Sequence, residues 1–75
     1  MSVTVILAAA IYPQECIEKT IAAYADFCSV KLFPPTQHSC LAEITAVGSS
    51  DENQVVNEFL NYLLDLSVEK HLRTA

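Results

Sequence analysis

The chain switches repeatedly between a two-residue and a three-to-four-residue apolar period, and each switch marks a boundary. Ser2 to Ala10 opens with Val3, Thr4, Val5 and Ile6, a β-branched run that favours a strand. The run is apolar on both faces, as expected of a central strand covered on both sides. Ala8, Ala9 and Ala10 suit a helix equally well, so the pattern leaves the far end of this strand open.

Pro13 suits the first turn of a helix, where its missing N–H is not needed. Glu15 adds negative charge near the positive end of the helix dipole. Ile17, Ile21, Tyr24, Ala25 and Cys28 keep helical spacing, which predicts a helix from about Pro13 to Phe27. Alternation returns at Ser29 to Phe33, with Val30 and Leu32 on one face and Lys31 and Phe33 on the other. Pro34 and Pro35 cannot donate to a ladder, so the strand ends there and Pro34 to Ser39 reads as a turn. Cys40 to Val47 is the third strand. Cys40, Ala42, Ile44 and Ala46 face one way; Leu41, Glu43, Thr45 and Val47 face the other. Gly48, the only glycine, sits where the chain must leave the sheet. Ser49 with Glu52, or Ser50 with Asn53, has the spacing to cap the last helix, the first pair as a capping box.

That helix, from Asn53 to Arg73, is the longest periodic stretch of the chain. Val56, Phe59, Leu60, Leu63 and Leu66 or Ser67 form one face. Leu64, Val68 and Leu72 form a second line at i, i+4 and i+8. A helix apolar over two stripes needs two neighbours. Its own sheet is one, and another chain is the natural second. Leu64, Val68 and Leu72, with Asn61 and Asp65 as polar rim, are therefore the candidate partner-binding residues.

The element order is β-α-β-β-α. A helical crossover makes strands one and two parallel with a right-handed connection, and strands two and three form an antiparallel hairpin. The expected fold class is α+β, a single domain over residues 1–75. It is a two-layer sandwich with sheet order 1-3-2 and both helices on one face, ferredoxin-like but lacking the last strand. The absent strand leaves one edge of strand one open to pairing.

Composition sharpens this picture. The chain has 75 residues, of which 52% are hydrophobic, more than one small core requires. A homo-oligomer or a partner would use the surplus. Net charge is −5 with only four Lys and Arg, so no basic stripe exists to hold nucleic acid or an anionic membrane. Val3 to Ile11 resembles the apolar core of a signal peptide, but no Lys or Arg precedes it and it is too short to span a bilayer. Cys16, Cys28 and Cys40 are odd in number and lack CxxC spacing, which points to reduced thiols and a cytoplasmic location.

Reaction chemistry is sparse. His38 and Cys40 are the only plausible metal pair, and two ligands are too few for a zinc site. The alternatives to a partner-binding accessory protein are a small-ligand or metal-binding domain built on them and a homodimeric domain whose apolar surfaces are its own interface. Cys16 and Cys28 are expected on one helix, about 18 Å apart along it. Cys28 or Cys40 would serve as a nucleophile only beside a His or another cation. Asp51, Glu52 and Glu58 suit a helix start, and His71 suits a helix end. No GxGxxG, P-loop, HExxH or GxSxG motif occurs. The expectation is a non-enzyme without metal or cofactor.

Three pieces carry a family resemblance: Ile11-Tyr12-Pro13, Ala22-Ala23-Tyr24, and Phe59-Leu60-Asn61-Tyr62-Leu63-Leu64-Asp65. Together they resemble HxsD, the small accessory proteins of the His-Xaa-Ser system, from about Val3 to Leu72. The family's C-terminal signature resembles Leu-Leu-Asn-Asp-Tyr-x-Leu-Arg-Glu. Here one residue is missing after Leu64, Leu66 stands in place of the Tyr, and Glu69 stands where the Arg is expected. The resemblance implies an accessory role in peptide maturation beside a radical SAM protein. Any iron–sulfur cluster would belong to that partner, since this chain lacks CxxxCxxC spacing.

Overall fold

Among the described residues three strands and two helices follow one another in the order β1 (Ser2–Ala8), α1 (Gln14–Ala23), β2 (Cys28–Leu32), β3 (Ser39–Ala46) and α2 (Glu52–Thr74). The computed structural model describes residues 2–48 and 51–74. The strands form one sheet in the order β1-β3-β2, with β3 antiparallel to both neighbours. The fold is therefore the expected α+β sandwich.

Pairing aligns side chains into rows across the sheet. On the inner face Val3, Ile44 and Val30 share one row, and Val5, Ala42 and Leu32 the next. Leu7, Cys28, Ala42 and Ile44 from this face join Cys16, Ile17, Val55, Val56, Phe59 and Leu63 of the helices in one buried core. Both helices therefore cover the same face. Phe59 and Leu63 are fully buried, and burial of each such side chain contributes about 1.5–3 kcal/mol. Two polar side chains among the described residues, Thr20 and Ser67, are buried as well. Thr20 Oγ1 donates to the Cys16 carbonyl at 2.8 Å, and Ser67 Oγ to the Leu63 carbonyl at 2.8 Å. Such i−4 bonds let a hydroxyl enter a core with its donor satisfied.

Three expectations change. β1 stands at the sheet edge as the order 1-3-2 requires, but it is covered on one face only, not on both sides as its apolar run implied. Its burial alternates, and Ser2, Thr4 and Ile6 face outward, with Ile6 71% exposed. β1 ends at Ala8 because Ala9 to Ile11 turn, with the Ile11 and Tyr12 amides donating to the Ala8 carbonyl. Helix α1 stops at Ala23, short of Phe27. The chain turns through Tyr24, whose carbonyl accepts the amides of Phe27 and Cys28. Cys28 thus opens β2 opposite Ala46 and does not share a helix with Cys16.

Gly48 has φ 73°, the left-handed conformation that glycine adopts without steric cost. Ser49 and Ser50, the expected caps, lie outside the described residues. Asp51 fills the capping role: its Oδ1 accepts the amides of Asn53 at 3.0 Å and Gln54 at 3.5 Å.

Candidate interaction surface

Helix α2 is held along one flank by α1, which runs antiparallel to it. At one end the Tyr24 ring meets Phe59 and Tyr62 edge-on, with centroids 5.8 and 5.5 Å away. At the other end Lys70 pairs with Glu15, while on the far flank His71 Nε2 lies 3.1 Å from the Ile11 carbonyl in the turn between β1 and α1. The Lys70 ammonium holds the Glu15 carboxyl below its usual range, first by hydrogen bonding and then by charge. Both groups are substantially exposed, so the pair orients the helix more than it stabilises it.

A helix advances about 100° per residue, so Leu64 lies about 160° from Tyr62, on the flank away from α1. Leu64, Val68 and Leu72 remain 41, 48 and 73% exposed. Asn61 and Asp65 are exposed between them. The five residues singled out by the second apolar line thus share one outward side of α2. Helix α2 packs on β3 and β1. Its free flank therefore stands on the β1 side of the sheet, next to the unpaired edge.

Two further apolar features were missed by reading the elements singly. On the outer sheet face Ile6 pairs with Leu41, and the Phe33 amide donates to the Leu41 carbonyl at 3.0 Å. Ile6, Leu41 and Phe33 therefore form one transverse apolar row. The next row is Thr4, Glu43 and Lys31, and Lys31 Nζ also sits 5.2 Å from the Phe33 ring centre. The alternation of β3 held half of this signal; the rest needed the pairing register. The second feature is a shallow cleft of about 200 Å³ lined by Phe27, Asp51, Gln54, Val55 and Glu58. Phe27, in the turn after α1, is exposed there.

The residues considered for chemistry are scattered. His38 is exposed in the β2–β3 turn, whereas Cys40 is buried with its thiol 3.7 Å from the Phe33 carbonyl. No group of three His, Cys, Asp or Glu among the described residues is arranged to hold a metal ion. Cys28 is buried with its thiol 3.6 Å from the Tyr24 carbonyl, and burial pushes its pKa up, away from the reactive thiolate. All three cysteines are free. No helix among the described residues is long and apolar enough to cross a membrane. Comparisons with protein-family models, curated proteins and solved structures found no match.

Proposed function

We propose that this chain is a non-catalytic accessory protein that binds a protein or peptide partner through the outer side of α2. The observation that carries this reading is the exposed line Leu64, Val68 and Leu72 on a helix whose other apolar face is already buried. Side chains of this kind, rimmed by Asn61 and Asp65, suit a surface where an apolar centre is ringed by polar groups. The acidic balance of the chain favours a neutral or basic partner.

The resemblance to the His-Xaa-Ser accessory proteins supplies the context of this proposal. The partner would be a radical SAM protein or the peptide it matures, and the cluster chemistry would reside in that partner. The test is a mild native purification with mass spectrometry, run in parallel for wild type and Leu72→Asp. Co-purification of a radical SAM protein with wild type, lost in the variant, supports the reading. Equal recovery with both removes the α2 surface from it, and recovery of the chain alone removes the accessory role.

A further inference from the structure

We infer that two copies of this chain join through their β1 edges, forming a continuous six-stranded sheet in the order β2-β3-β1-β1-β3-β2. The backbone register identifies the groups that would pair. The Ala9 amide donates to the His38 carbonyl at 2.9 Å, continuing the β1–β3 register. Antiparallel ladders alternate, so the odd residues Val3, Val5 and Leu7 bond to β3. The amides and carbonyls of Ser2, Thr4 and Ile6 therefore point to the free edge.

The two edges of the sheet differ. β2 has only five residues, carries Lys31 and runs into Pro34 and Pro35, all devices that discourage pairing. β1 is seven residues long, without charge, proline or bulge. A blunted edge beside an open one produces a pairing that closes at two copies under a two-fold axis and does not propagate into a fibre.

The uncharged character of this edge suits a second copy as the occupant. The chain carries −5, so self-association needs a surface free of acids. Ser2–Ala8 has none, and neither has the adjoining flank of α2, formed by Asn57, Leu60, Leu64 and Val68. Spacing is also compatible. Strands lie about 4.8 Å apart, so the two-fold axis would pass about 2.4 Å from β1 and about 7.2 Å from β3. Helix α2, which packs on both strands, would stand about 5 Å from that axis. The two α2 axes would then be about 10 Å apart, an ordinary packing distance. Leu64 and Val68 of both copies meet there, while Asn61, Asp65 and Leu72 stay outward. The inference thus rests on the reading of α2 as an interaction surface and assigns its inner half to the dimer.

The test uses the full chain at about 100 µM, far above the dissociation constant of an ordinary dimer. Light scattering should give twice the 8.2 kDa chain mass for wild type. Thr4→Pro removes an outward amide without touching the β1–β3 ladder, and it should give a single chain mass with unchanged circular dichroism. Hydrogen exchange on wild type needs no variant. The Thr4 and Ile6 amides should be protected at high concentration and exchange faster on dilution, whereas Val5 and Leu7 stay protected in both. A single chain mass for wild type, or fast exchange at Thr4 and Ile6 in a dimer, overturns the inference. Leu72→Asp should keep the dimer mass. A monomeric wild type that still captures its partner sinks the dimer alone, and a dimer that captures none sinks the accessory role alone.

Discussion

The hydroxyl of Tyr24 donates to the backbone carbonyl of Glu58 at 3.2 Å, joining residues 34 positions apart. This bond ties the turn that ends α1 to the first half of α2. The same ring touches Phe27, Phe59 and Tyr62 edge-on. One side chain thus joins the two helices at this end, on the flank of α2 opposite Leu64.

Tyr24→Phe keeps the ring contacts and removes the bond. A loss of about 0.5–1 kcal/mol is expected, with a melting temperature lower by about 2–8 °C. Tyr24→Ala also removes the ring contacts and should lose about 2–4 kcal/mol. Equal losses in thermal melts of the two variants would show that the ring packing contributes nothing.

Leu63 and Leu64 are neighbours in sequence with opposite roles. Leu63 is fully buried and Leu64 is 41% exposed. Leu63→Ala should lose about 2–5 kcal/mol, and Leu64→Ala no more than about 1 kcal/mol. Urea unfolding at low micromolar concentration separates them. A comparable loss for both would contradict the assignment of the two faces.

Gly48→Ala tests the turn before α2. An added Cβ would meet nothing within 4 Å, so the cost lies wholly in the backbone at φ 73°. About 1–2 kcal/mol should be lost. Gly48→Asn should lose less, because Asn tolerates the left-handed region. Asn and Ala variants of equal stability would argue against this conformation.

Stability should fall on the alkaline side. Burial raises the pKa of Cys28 above its ordinary value of 9.0. Burial, and then the Glu58 charge, raise that of Tyr24 above 10.0. A raised pKa means that the folded state keeps its proton longer than the unfolded chain. Both contributions are therefore complete below the unfolded values and are lost as pH rises through the folded ones. The urea midpoint should drop first above pH 9.0 and further above 10.0. Cys28→Ala should remove the earlier limb, and a wild-type midpoint unchanged across this range would contradict both shifts. On the acid side Glu15 contributes above its unfolded value and loses that contribution as pH falls, weakly because the pair is exposed.

The element order and both stripes of α2 were legible in the sequence, because period is a local property of each segment. Val56, Phe59 and Leu63 are buried as their spacing requires, and Leu64, Val68 and Leu72 lie outside. The end of α1 was not legible. Ile17, Ile21, Tyr24, Ala25 and Cys28 satisfy a helix, yet Cys28 pairs with Ala46 in the sheet. Strand pairing outweighs the local preference of the residues Tyr24 to Phe27, which become the turn that pairing needs.

The sequence by itself determined which residues are apolar, at what period, and where Pro34, Pro35 and Gly48 interrupt them. Tertiary structure alone decided that β1 is covered on one face only, that Cys28 opens a strand opposite Ala46, and that Ile6, Leu41 and Phe33 form one row. The physical reason is range. Side-chain alternation is set by neighbours two to four residues away, whereas an edge or a row exists only once distant strands have paired.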